Sequence, residues 1–172
     1  MLKLLGSVIS VASCGMAGLH KARVYIRRPS ELRALRSALQ ILETEIAYAA
    51  SPLAKAFQTV AACSENNVAD LFKAASQELL RMSGQTAGEA WDKALAVFYP
   101  QTALTHSDLS ILRNFGSTLG ISDREDQIKH LRLTQEQLKA ETEKADEEAG
   151  RNAKIWNYFG FFGGIVAVLI LV

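Results

Sequence analysis

The chain has 172 residues, 49% hydrophobic and 22% charged, with 19 basic and 18 acidic side chains and a net charge of +1. That length fits one domain with a sizeable core, and the near-neutral balance supplies neither the basic field of a nucleic-acid binder nor a solvating acidic tail. Two cysteines, Cys14 and Cys63, exclude a disulfide framework and, with three scattered histidines, make a poor zinc inventory; three prolines and few β-branched clusters argue against an all-β chain.

The first element is apolar. Residues 4–19, LLGSVISVASCGMAGL, carry no charge. As a helix this run spans about 24 Å, or about 30 Å if residues 1–20 are all helical, against a bilayer core of ~30 Å. Lys3 and Lys21 can snorkel to opposite interfaces. Residues 1–20 therefore read as an N-terminal transmembrane helix. A cleaved signal peptide also fits a short apolar run after one lysine. So does an exported lipoprotein anchored through Cys14, because Val11-Ala12-Ser13-Cys14 resembles a lipobox. The basic residues that follow, Lys21, Arg23, Arg27 and Arg28, oppose export of what comes after them.

Residues 21–154 hold every acidic side chain and all the basic ones but Lys3, and their periodicity predicts six helices. Pro29-Ser30 opens the first, in which Leu32, Leu35, Leu39, Leu42 and Ile46 follow at spacings of a coiled-coil seam, long enough for a bundle core. Ser51 as N-cap and Pro52 at the first helical position open the second, with Leu53, Phe57 and Val60 on one face. The third runs from Asn67 to Met82, with Val68, Leu71, Phe72, Ala75 and Leu79 inward, and Ser83-Gly84 ends it. Thr86 and Glu89 have capping-box spacing ahead of Trp91, Ala94, Leu95 and Phe98, and Tyr99-Pro100 closes that fourth helix. Thr105 to Asp108 opens the fifth, carrying Leu109, Leu112, Phe115 and Leu119, with Gly120 at its end. Ser122 and Glu125 form another capping box and open a sixth, about 40 Å long, free of Gly and Pro until Gly150. Ile128, Leu131 and Leu138 can pack. Glu141 to Arg151, ETEKADEEAGR, has no large apolar residue and reads as an exposed stalk, or as an acidic docking face for a basic partner.

The last element, IWNYFGFFGGIVAVLILV at residues 155–172, is again uncharged. It spans about 27 Å as a helix. Trp156 and Tyr158 stand where an interfacial aromatic belt belongs, beside Lys154. A buried core helix would not normally end on eight consecutive apolar residues, so this run reads as a C-terminal transmembrane helix. Basic residues flank the middle at both ends, with Arg151 and Lys154 before the second run, and the positive-inside rule places residues 21–154 in the cytoplasm. The expected architecture is all-α: a six-helix cytoplasmic bundle (21–154) between two membrane helices (1–20 and 155–172).

Little in the sequence suggests chemistry. There is no GxxxxGK[ST] loop, no GxGxxG, no HExxH and no GxSxG. His20, His106 and His130 are isolated. Asp123-Arg124-Glu125-Asp126 is a charge cluster at a helix start, where carboxylates favour the positive dipole end. The expectation is a protein without catalytic residues, cofactor or metal; the alternative is a membrane-bound enzyme whose site these motifs do not reveal. Candidate partner-binding residues are Arg27, Arg28, Arg33 and Arg36, with Gly160 and Gly164. Arg27 and Arg28 suit the positive-inside signal and anionic lipid. Arg33 and Arg36, three apart on one helical face, suit a protein partner. Gly160-x-x-x-Gly164 has the small-xxx-small spacing that lets membrane helices approach closely, and Gly6/Ser10 and Cys14/Gly18 repeat it.

Taken in order, these residues resemble the stage III sporulation protein AB family of spore-forming Firmicutes over nearly the whole chain. The resemblance lies in Met1-Leu2-Lys3-Leu4-Leu5-Gly6, Arg28-Pro29-x-Glu31-Leu32-Arg33-x-Leu35 and Leu39-Gln40-x-Leu42-Glu43-x-Glu45-Ile46-x-Tyr48. It continues in Ser51-Pro52-Leu53, Phe115-Gly116-x-x-Leu119-Gly120-x-x-Asp123-Arg124, Gln127-x-Lys129-His130 and the glycine-bearing apolar tail. It implies a protein of the mother-cell membrane around the forespore, part of the sporulation channel that links the two cells. It also implies a cytoplasmic helical domain similar to the F-type platform proteins of type II secretion and type IV pili, which are thought to couple a cytoplasmic ATPase to a membrane assembly. The implied partners are other channel subunits, a cytoplasmic ATPase and membrane lipids, with no nucleic acid, no catalytic residues and no cofactor.

Overall fold

The computed structural model describes residues 26–49, 51–81, 84–121 and 123–171, with side chains described as far as Arg151, that of residue 66 excepted. Every regular element among the described residues is helical. Helix α1 covers residues 26–44 and passes into a π-helical turn at Glu45–Ala49. There follow α2 (Leu53–Cys63), α3 (Asn66–Leu80), α4 (Ala87–Phe98), a 3₁₀ turn at Tyr99–Gln101, α5 (His106–Thr118) and α6 (Arg124–Leu171).

The seam of α1 is buried as its spacing requires: Leu32, Leu35, Leu39 and Leu42 are fully enclosed and Ile46 nearly so. Several start signals differ from expectation. Helical residues already begin at 26, so Pro29 lies inside α1, where its apolar ring is buried. Pro52, not Ser51, is the N-cap of α2, and its carbonyl accepts from the Lys55 and Ala56 N–H groups. Helix α3 is set one residue earlier at its start and ends at Leu80, with Gly84 in the left-handed region at φ 72°. Both capping boxes, Thr86 with Glu89 and Thr105 with Asp108, form with both reciprocal hydrogen bonds. Gly120 turns the chain after α5 at φ 74°, a conformation that a Cβ disfavours. At α6 the side chain of Asp123 accepts from the Asp126 N–H at 2.9 Å and takes the capping role expected of Ser122, which lies outside the described residues.

Consecutive helices pack side by side, α2 on α3, α3 on α4, α4 on α5 and α5 on α6. Four aromatic side chains, one from each of α2 to α5, hold the centre: Phe57, Phe72, Trp91 and Phe115 meet in tilted or edge-on pairs with centroids 5.3–5.8 Å apart. The Trp91 Nε1–H donates to the Leu112 carbonyl at 2.8 Å, so the buried indole leaves no polar atom unsatisfied. That approach depends on glycine. A Cβ at Gly116 would collide with the Trp91 ring, and one at Gly88 would stand 2.9 Å from the Gly116 carbonyl oxygen.

Helix α6 has 48 residues and is about 72 Å long, continuing through Gly150 rather than breaking there. It lies antiparallel to α1: Arg124 meets the end of α1, Arg132 and Gln135 meet Glu43, and Glu141, Asp146 and Glu148 meet the start of α1. The segment read as an exposed stalk therefore packs. Thr142 and Ala145 are buried on the same heptad face as Leu131 and Leu138. Small side chains there let the two helices approach, which a search for large apolar residues overlooks. Among the described residues no helix is long and apolar enough to cross a membrane. The run at 1–20 lies outside the described residues, and so do the side chains of 155–172.

Candidate functional site: an arginine edge closed by the last helix

The four arginines singled out on α1 have unlike surroundings. Arg27 is exposed and donates to Glu31 Oε1 at 2.9 Å and to the Gln101 carbonyl at 3.2 Å. Arg33 is exposed and reaches both carboxylate oxygens of Asp146, at 2.6 and 2.7 Å. Arg36 is half-buried, and its Nε has no partner among the described residues. Gly160 and Gly164 lie outside the residues whose side chains are described.

Arg28 is 8% exposed and is the centre of a charge cluster. Its Nε donates to Asp108 Oδ2 at 2.9 Å and its Nη2 to Asp108 Oδ1 at 3.0 Å, the parallel two-bond geometry that suits a guanidinium facing a carboxylate. Nη2 also reaches Glu141 at 2.7 Å, and Nη1 reaches Glu148 at 3.5 Å. One cation from α1 thus ties together the N-terminus of α5 and two turns of α6. Asp108 is completely buried. Burial alone would push its carboxyl up, but the Arg28 guanidinium and the Thr105 N–H and hydroxyl hydrogen-bond the charged form and hold it below the usual carboxylate range. The same bond to Asp108, against the cost of burial and with help from Glu141, holds Arg28 above the usual arginine value.

Sequence reading placed Arg28 at a membrane flank and did not notice its partners. The signals were present. Arg28 stands four residues before Leu32, on the seam itself. Asp108, Leu112, Phe115 and Leu119 share one face of α5, so an acid sits on a buried stripe and needs a cation. Glu141 and Glu148 extend the spacing of Leu131, Leu138 and Ala145 on α6. A second tie lies at the opposite end. Arg124 Nε donates to the Ile46 carbonyl at 2.7 Å and Nη2 donates to the Ala47 carbonyl, satisfying carbonyls of the π turn. His130 is exposed.

Near Arg28 every carboxylate faces a guanidinium or an ammonium, for Glu141 also pairs with Lys144 at 2.7 Å. Among the described residues no group of three or more His, Cys, Asp and Glu could hold a metal ion. The arrangement ties three helices, α1, α5 and α6, at one end of the bundle.

Fold and site together define an all-helical bundle clamped at one end by a buried arginine. The chain belongs to the family described as Stage III sporulation protein AB, whose profile matches residues 3–172. It is 38% identical over 171 residues to the Stage III sporulation protein AB of Bacillus subtilis (strain 168), covering 99% of each chain. A solved structure of a Stage III sporulation protein AB superposes with a TM-score of 0.68 at 38% identity, over 72% of this chain and 97% of that one.

Proposed function

We propose that the protein is a non-enzymatic platform subunit of the sporulation channel between mother cell and forespore. Both ends of the chain anchor it in the mother-cell membrane around the forespore, and its bundle stands in the cytoplasm and couples an ATPase to the membrane assembly. The observation that carries this reading is the Arg28 clamp. Contacts of Arg28 with Glu141 and Glu148 bring the start of α1 and the 141–151 segment of α6 to the same end of the bundle. The chain is thereby attached to the uncharged runs at 4–19 and 155–172 through the start of α1 and the 141–151 segment, which share one end of the bundle, as anchoring of both runs in one bilayer requires. Family membership supports the sporulation role, and the basic flanks support the cytoplasmic side.

Reporter fusions test the topology. A reporter inserted between 60 and 110 should behave as cytoplasmic, and one after Val172 as external. A cytoplasmic reporter after Val172 would refute anchoring at both ends. Co-purification of the full chain with the channel ATPase tests the coupling, and its failure under conditions that retain the other subunits would refute it.

A further inference from the structure

Helix α6 is held to the rest of the bundle by two unlike means. From Arg124 to Leu138 it is packed: Leu131, Thr134, Gln135 and Leu138 are buried, and Ile128 lies against the core. Beyond Leu138 the packing thins. Among the described residues of 139–151, Thr142 and Ala145 are the only buried side chains. The Thr142 hydroxyl donates to the Leu138 carbonyl of its own helix at 2.7 Å, so it adds no polar tie across to α1. Two small side chains remove little apolar surface from water compared with the leucines before them.

Charge holds this segment instead. Glu141 and Glu148 reach Arg28 at 2.7 and 3.5 Å, and Asp146 reaches Arg33 at 2.6 Å. The Glu148, Asp146 and Arg33 side chains are 47%, 46% and 57% exposed, so water competes for two of these three contacts. The third, between Glu141 and Arg28, is releasable without stranding a buried charge, the outcome that makes most broken buried pairs costly. Arg28 faces Asp108 through two parallel bonds that involve no residue of α6, and Glu141 keeps Lys144 on its own helix. Of the three carboxylates that share the Arg28 guanidinium, only Asp108 is fully buried. A parted segment also stays helical, because it extends a helix already nucleated by packed residues and is rich in Ala, Glu and Lys.

We propose that residues 139–151 form a latch, parting from α1 as one unit while Arg124–Leu138 stays packed, with Leu138 as the last fixed point and Arg28 as the keeper. Thinly packed, solvated elements are the ones that open at a lower free energy than the whole fold. The segment is about 20 Å of helix and leads into the uncharged run at 155–172. Its opening lets the bundle change its angle to that run with the core intact.

Two nitroxide pairs on the full chain in nanodiscs test the latch, in a background of Cys14→Ser and Cys63→Ser. Ser30→Cys with Glu147→Cys spans α1 and the latch; Gln40→Cys with Glu136→Cys spans α1 and the packed part of α6; all four positions are exposed. Distance distributions are measured by double electron–electron resonance with and without Glu141→Gln and Glu148→Gln. The latch pair should show a longer distance whose share rises at least threefold with the two Gln substitutions, while the second pair keeps a single distance. A latch-pair distribution that the Gln substitutions leave unchanged would overturn the proposal. Lengthening common to both pairs would overturn it too, because α6 would then leave as a whole.

Discussion

Replacing Arg28 with Met would remove the cation that Asp108, Glu141 and Glu148 share, while keeping most of the side-chain volume. Asp108 is fully buried and would be left as an uncompensated charge. Stranding one partner of a buried pair costs about 3–5 kcal/mol. The two glutamates keep more water, Glu141 keeps Lys144, and the Asp108 carboxylate keeps the bond it accepts from the Thr105 N–H, so the lower end, about 3 kcal/mol, is expected. Combining Arg28→Met with Asp108→Asn should recover part of that loss, because the buried charge is gone; a coupling of about 2 kcal/mol should appear in the double-mutant cycle. Urea unfolding of residues 21–154, followed by circular dichroism at pH 7, provides all four corners. A loss below about 1 kcal/mol for Arg28→Met would refute the argument, because only a solvated pair is that weak.

Further expectations concern acid, packing and the ties along α6. The Asp108 carboxyl is held below its usual range in the folded chain, so its contribution to stability is complete above the unfolded value of about 4 and is lost as pH falls through the lower folded value; Asp108→Asn should flatten that acid limb of a stability–pH profile and leave neutral pH to 5 unchanged in shape. Gly116→Ala should destabilise by about 1–3 kcal/mol in urea titrations, because its Cβ would drive into the rigid Trp91 ring. Leu39→Ala should cost about 2–5 kcal/mol and Phe115→Ala about 3–5 kcal/mol, and neutral results at both would mean that the buried faces are misassigned. Arg33→Glu with Arg36→Glu should leave the bundle folded, the exposed pair of Arg33 with Asp146 being worth under about 1 kcal/mol, and should weaken co-purification with the channel complex.

The helices were legible because their signals are local. Seam spacing in α1 and the Thr86/Glu89 and Thr105/Asp108 boxes depend on residues within a turn of each other, and the structure contains them as the sequence predicts. Helix starts at Pro29 and Ser51 were less legible. A proline tolerates several positions near a helix start, and which one it takes depends on what its ring can bury. The clamp was missed for a different reason. Arg28, Asp108 and Glu148 are separated by 80 and 120 positions, and nothing local to any of them names the others. Only the placement of a charge on each buried stripe hinted at it. The 141–151 segment was misjudged because its seam is made of Thr142, Ala145 and salt-bridged acids, where the reading weighed large apolar side chains alone.

Central to the account is that both ends of the bundle's chain enter one membrane from the cytoplasmic side. Cys63 is an exposed free thiol and reports on that directly. In vegetative cells expressing the full chain, a membrane-impermeant thiol reagent should leave the Cys63 peptide unmodified until the membrane is permeabilised, as read by peptide mass. Modification of Cys63 in intact cells would place the bundle outside and contradict the account.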